Sequence, residues 1–334
     1  MGVGFGLLMI VLLILIPYLG VMAGGEYVLG VLIPYLAFAI FIVGIIYRIV
    51  SWAKSPVPFR ITTTCGQQKT HDWIKSDQVE NPTTTLGVWA RMAKEVLLFR
   101  SLFRNTTAKI TGKGNITYIW EKWLWLAAIL YHYSFFIIAV RHLRLFTPET
   151  PLFVGFLEGL DGFFDFGMYS FYLTDLLIIV ALAYLLIRRF AIPMVRYVSL
   201  AADYFPLFLL IGIAGTGILM KYFVRADVAG VKELAMGLIA FQPVVPVGIG
   251  SIFYIHLFLV CALLAYFPFS KLMHAPGIFL SPTRNMANNN RIKRHINPWN
   301  YPVKVHTYQE YEEEFGKVMK AAGLPLDNEA NATK

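Results

Sequence analysis

From about Phe5 to Met22 the chain is an unbroken apolar run, and no charged side chain precedes Glu26. A run of about 20 apolar residues is long enough to cross a bilayer as a helix. A secretory signal peptide is the rival reading, with Val21-Met22-Ala23 as a faint cleavage site, but no basic residue precedes the run. Comparable runs follow at about Tyr27–Val50 (containing Pro34), Trp120–Leu143, Gly167–Ile187, Tyr204–Tyr222 and Ile249–Leu272. The pattern predicts an all-α integral membrane bundle of six transmembrane helices, with residues 1–50 as a first pair and 120–274 as a four-helix domain.

The polar segments set the expected orientation. Residues 51–119 hold Lys54, Arg60, Lys69, Lys75, Arg91, Lys94, Arg100, Arg104, Lys109 and Lys113, which outweigh the acids there. Basic loops stay in the cytoplasm. The segment Leu145–Phe166 carries Glu149, Glu158, Asp161 and Asp165 and, from Leu145 on, no Lys or Arg, so it faces outside. Arg188-Arg189 then falls inside. Six crossings put both termini in the cytoplasm, and the mildly basic 221–233 loop is the exception to the rule. Within the long loop, Leu86, Trp89, Met92, Ala93, Val96, Leu97 and Phe103 recur at helical spacing among Arg91, Lys94 and Arg104. A basic amphipathic helix is expected there, lying in the inner interface or packed on a partner. The tail 275–334 reads as a docking arm or a solvated end, with a short helix over Tyr308–Ala322.

The chain's 334 residues are 57% hydrophobic with a mean hydropathy of +0.60, which fits a multi-pass protein of the cell membrane rather than a soluble core. The net charge of +9 is accounted for by the inner loops and calls for no nucleic acid. There are two cysteines, Cys65 and Cys261, and no CxxCH, which excludes covalent c-type haem and an iron–sulfur cluster held by this chain. Cys65 reads as a loop thiol.

Four histidines lie in the apolar runs. His132 and His142 are ten residues apart, about 15 Å along a helix axis, with directions within roughly 80° of each other. His256 and His274 are eighteen apart, about five turns, which places both on one face of a continuous helix. Haem iron accepts axial histidine, and ionisable residues within a membrane mark functional sites. Two helices with two histidines each can clamp two b-type haems. Because three crossings separate the third run from the sixth, the helices are antiparallel. His132 then shares an inner iron with His274, and His142 an outer iron with His256. Arg141 and Arg144 flank His142 and are expected either to meet a propionate of the outer haem or to reach toward interfacial water. In the fourth and fifth runs, Asp175 (about 12 Å in from the helix start) and Lys221 are candidates for a quinol-oxidising site beside the outer haem. Asp175 can equally be a structural partner of an arginine.

His132-x9-His142 and His256-x17-His274 in a multi-span protein resemble the gamma subunit of respiratory nitrate reductase, a dihaem cytochrome b. The resemblance covers roughly residues 120–275, and the first span and the 51–119 loop depart from it. The stretches 58–68 (PFRITTTCGQQ) and 95–105 (EVLLFRSLFRN) resemble a narrower branch. That branch is the cytochrome b subunit of the Dsr membrane complex of sulfate reducers, also called Hdr-like menaquinol oxidoreductase. The resemblance implies two haem b groups and electron transfer between menaquinol and a cytoplasmic iron–sulfur subunit resembling heterodisulfide reductase, linked to sulfite or sulfate reduction. It also implies a second membrane subunit, a periplasmic iron–sulfur protein and a periplasmic multihaem cytochrome c. Two alternatives stay open: a cytochrome b subunit serving nitrate reductase or a hydrogenase, and a proton-coupled transporter using the histidines and Asp175. No inverted repeat supports the latter.

Overall fold

A computed structural model describes residues 2–55, 66–112, 114–166, 169–289 and 305–327. Cys65, most of the 58–68 stretch, and Arg291, Lys293, Arg294 and His295 lie outside the described residues. The first apolar run forms α1 (Gly2–Met22), and the second begins as a π-turn at Val28–Leu32 and continues as α2 (Ile33–Ala53), with Pro34, which has no N–H to give the preceding turn, where the π-turn passes into the α-helix. The long loop contains α3 (Thr85–Leu98), started by the Thr84 side chain, which accepts from Gly87 N, and ended by Phe99 in the left-handed region at φ 49°. A single turn, α4 (Arg100–Phe103), and an antiparallel hairpin, β1 (Thr106–Thr111) with β2 (Asn115–Trp120), lead into the membrane.

Next come α5 (Lys122–Arg141), extended as a 3₁₀ turn over His142–Leu145, and α6 (Leu152–Asp161). A second hairpin, β3 (Gly162–Phe166) with β4 (Tyr169–Tyr172), leads to α7 (Leu173–Ala191) and α8 (Pro193–Val198). The fifth run is α9 (Ala201–Ile218) with a π-turn at Leu219–Val224, followed by α10 (Val228–Ile239). The sixth is α11 (Ser251–Tyr266), two 3₁₀ turns, and α12 (His274–Leu280), and the tail holds α13 (Tyr308–Ala321).

The fold is a mostly helical bundle, to which two short hairpins are added. Alternating β-branched and aromatic residues in Asn115–Trp120 pair with Thr106–Thr111 around Gly114 at φ 77°, so α5 starts two residues later than Trp120. The aromatic stretch Gly162–Tyr172 likewise forms a hairpin, which moves the start of the fourth run from Gly167 to Leu173. Five helical segments are long and apolar enough to cross a membrane: Gly2–Met22, Val28–Ala53, Lys122–Leu145, Ala201–Val224 and Ser251–Phe269. The 19-residue α7 is equally apolar at its centre but carries Asp175, Arg188 and Arg189 in its end turns.

Helices α5, α7, α9 and α11 pack side by side in that order, α1 lies along α9 and α11, and α2 lies along α11. The interior is small. Ile10, Leu209, Ile255 and Leu259 form one buried cluster and Ile178, Leu182 and Leu210 another, while Leu8, Leu12, Leu36, Val43 and Phe136 point outward. That outward apolar surface matches hydrocarbon rather than water. Among the described residues α5 is not packed along α11. Histidines on α5 and its 3₁₀ extension face those on α11 and α12 across the intervening space.

Candidate functional site: two histidine pairs and an ion cluster

At one end of the bundle, the end expected to be inner, the rings of His132 and His274 have centres 6.0 Å apart with planes at 85°. At the other end His142 and His256 are 6.5 Å apart with planes at 10°. A histidine nitrogen sits about 2 Å from a first-row metal and the ring centre about 1.1 Å behind it, so two imidazoles sharing one ion have centres about 6 Å apart. Both separations match. Each Nδ1 is already occupied. His132 Nδ1 donates to Ala128 O (2.7 Å), His142 Nδ1 to Ile138 O (2.7 Å), and His274 Nδ1 to Lys271 O (2.9 Å). Thr216 donates to Gly212 O at 2.7 Å and its oxygen lies 2.9 Å from His256 Nδ1, from which it can accept. With Nδ1–H donated, Nε2 retains its lone pair, the tautomer and orientation that an axial ligand needs.

His274 reaches its place by a route that helical spacing does not describe. The sixth run breaks after Tyr266, because Pro268 cannot continue the ladder, and His274 opens α12 after two 3₁₀ turns. Gly44 of α2 lets this break close in, since a Cβ there would lie 2.7 Å from Pro268 Cβ. His142 likewise sits in the 3₁₀ extension of α5 rather than in the helix proper. The inner pair is also braced by the long loop. The Phe99 ring meets His132 edge-on at 4.9 Å, while Trp125 Nε1 and the Tyr133 hydroxyl donate to Leu98 O and Leu97 O, tying the end of α3 to α5.

Asp175 lies in the first turn of α7, about 3 Å from its start rather than about 12 Å in, because the preceding residues form β4. Its Oδ1 accepts from Arg141 Nη2 at 2.6 Å, and its Oδ2 accepts from Lys221 Nζ at 2.9 Å and the Tyr222 hydroxyl at 2.8 Å. Arg141 Nη1 also lies 3.0 Å from Asp161 Oδ2, an ion pair without hydrogen-bond alignment. Asp161 in turn accepts from Thr174 N and Thr174 Oγ1. Tyr172 lies under both cations, its ring centre 4.1 Å from the Arg141 guanidinium carbon and 3.3 Å from Lys221 Nζ. Two cations and two carboxylates thus balance in a buried cluster, one residue along the chain from His142. Arg144 pairs with Glu158 at 2.7 Å. Both arginines expected near a propionate are held by carboxylates.

The site also contains residues without a sequence signal. Thr216 and Phe99 act through contacts between distant segments. Asp161 and Tyr222 read in the sequence as loop charge and interfacial aromatic. Among the described residues no group of three or more His, Cys, Asp or Glu side chains is placed to hold a metal ion, so a metal held by the histidine pairs needs a further set of donors such as a macrocycle.

The nitrate reductase gamma subunit family matches residues 86–294. The Hdr-like menaquinol oxidoreductase cytochrome b-like subunit of Archaeoglobus fulgidus is 43% identical over 307 residues, covering 90% of this chain and 91% of the relative. Its counterpart in Archaeoglobus profundus is 42% identical over 275 residues, covering 80% and 81%. With a family match over more than half its length and relatives matched almost end to end, the chain belongs to the nitrate reductase gamma subunit family, in the group formed by these cytochrome b-like subunits.

Proposed function

We propose that this chain is the dihaem membrane subunit of a menaquinol-oxidising complex, crossing the cell membrane six times with both termini in the cytoplasm. The observation that carries this reading is the pair of imidazole separations, 6.0 and 6.5 Å, each with both Nδ1 atoms engaged. His132 and His274 hold an inner haem b, and His142 and His256 an outer one. Bound there, the two haems supply one-electron carriers at the two ends of one path across the membrane. The relatives are named for an Hdr-like menaquinol oxidoreductase, which supplies the quinol and the complex in this reading. The expected electron acceptor is a cytoplasmic iron–sulfur subunit, with a second membrane subunit, a periplasmic iron–sulfur protein and a multihaem cytochrome c as further partners and a link to sulfite or sulfate reduction.

Quinol oxidation is placed beside the outer pair. Lys221 Nζ and the Tyr222 hydroxyl, both bonded to Asp175 Oδ2, are the candidate hydrogen-bonding groups for a quinol oxygen, and Asp175 holds them in place. Arg141 is locked between Asp161 and Asp175 and keeps that carboxylate in place. Arg144, more exposed than Arg141 and paired with Glu158, is the arginine that would reach a propionate of the outer haem by exchanging that partner. Protons released outside while electrons pass inward make turnover electrogenic. A reduced-minus-oxidised spectrum of the purified protein tests the assignment. Two b-type components are expected, and a featureless spectrum would leave the proton-coupled transporter as the surviving reading.

A further inference from the structure

A cavity of about 540 Å³ borders one member of the inner histidine pair. His274 forms part of its wall, with Trp52, Tyr266 and Phe269 as aromatic sides and Arg48 and Lys271 as cations. The two cations differ. Lys271 is neutralised by Asp203, 2.7 Å away, which Arg189 also approaches at 3.9 Å. Arg48 has neither ion pair nor hydrogen bond among the described residues, and its Nε is buried without an acceptor. It stands in the last two turns of α2, a helix otherwise free of charge until its end. A donor atom buried without an acceptor costs about 1–3 kcal/mol, so Arg48 Nε calls for an acceptor that the described residues do not supply.

We propose that Arg48 binds the carboxylate edge of the macrocycle ligated by His132 and His274. This rests on the dihaem reading above. A flat ligand centred between those two rings must extend sideways past His274, and this cavity is the space that borders it. The guanidinium fork suits a carboxylate. The break at Pro268, which brings His274 to its partner, also seats it beside α2 and so beside Arg48. The other charged or titratable groups facing the cavity are Lys271 and His274 on the α11–α12 connection and Tyr266 on α11, with Asp203 of α9 behind Lys271.

The test is a spectrally monitored redox titration of the purified protein at several pH values, in wild type, Arg48→Gln and Arg48→Lys. A fixed positive charge beside a propionate favours the reduced haem and keeps the propionate ionised. Arg48→Gln is therefore expected to lower the potential of the inner haem alone and to make it pH-dependent, as the unpaired carboxylate takes up a proton with the electron. Arg48→Lys keeps the charge and is expected to restore most of the wild-type potential. An unchanged inner potential in Arg48→Gln with both haems retained would overturn the proposal, as would an equal shift of both haems. If Arg48→Gln does not fold, Arg48→Met is read in the same way: a lowered, pH-dependent inner potential supports the charge pairing, and an unchanged one overturns it. Absence of haem from the wild type would instead refute the dihaem reading itself.

Discussion

Thr216 is the sharpest lever on the outer site. It is 8% exposed, and its hydroxyl oxygen is a partner of His256 Nδ1 at 2.9 Å. Thr216→Val keeps the shape and replaces the oxygen by a methyl group. The Nδ1–H then keeps only the Ile213 carbonyl as an acceptor inside the bundle, so the cost is at most about 1–3 kcal/mol. At about 1.4 kcal/mol per tenfold this amounts to roughly 5- to 150-fold in affinity, close to the roughly 10–100-fold seen when outer partners of metal-bound histidines are removed. The variant is expected to lose outer haem by about that factor, read as haem-titration affinity or as the rate of haem loss to an acceptor protein, while inner haem stays put. Thr216→Ser retains the oxygen and should behave nearly as wild type. A Thr216→Val protein that holds outer haem as tightly as wild type would refute the argument, as would loss of the inner haem.

His132→Ala and His274→Ala should each remove the same haem, and His142→Ala and His256→Ala the other; a shared loss between His132→Ala and His256→Ala in the spectrum would break the pairing. Arg141→Ala leaves Asp161 and Asp175 without their common cation and should cost about 3–5 kcal/mol of stability, seen as a lower unfolding midpoint in detergent, and an unchanged midpoint would show that the cluster is not structural. Haem reduction by a menaquinol analogue should slow in Asp175→Asn and Lys221→Ala proteins that keep both haems; wild-type rates in both would move the quinol site elsewhere. Glu121 accepts from Thr107 and Arg188, and the Thr107 hydrogen bond in particular holds its carboxyl below the usual value of 4.5. A depressed folded-state pKa gives stability that is present above about pH 4.5 and lost as pH falls through the lower folded value. Acid should therefore release the β1–β2 hairpin from α7, followed by Trp120 fluorescence, and Glu121→Gln should flatten that pH dependence.

The parts legible in the sequence are those that depend on composition over many residues. Apolar runs located the five helices that are long and apolar enough to cross a membrane to within a few residues, and the order of the four histidines placed His132 beside His274 and His142 beside His256. What stayed hidden depends on local backbone choices and distant contacts. Hydropathy does not distinguish an aromatic strand from a helix entry, which is why Asn115–Trp120 and Gly162–Tyr172 were read as parts of spans or loop. Pro268 in Phe267-Pro268-Phe269 was a readable break signal, and it replaces the five-turn argument for His274. The 221–249 loop hides α10, whose Val231 and Leu234 join Leu29, Phe253 and Tyr254 in a buried cluster. The tail also is not independent of the long loop. Asn288 N donates to Pro82 O at 2.6 Å and its side chain bonds Asn81, so a deletion meant to probe partner docking should begin beyond residue 289.

Electron paramagnetic resonance of the oxidised protein tests the central claim most directly. Perpendicular imidazole planes leave the iron d orbitals nearly degenerate, whereas parallel planes split them. The His132–His274 pair at 85° should give a highly anisotropic low-spin signal, and the His142–His256 pair at 10° a rhombic one. Two such signals in equal amounts, with the anisotropic one lost in His274→Ala, are the predicted result. A single signal, or high-spin iron in the untreated protein, would contradict two bis-histidine haems.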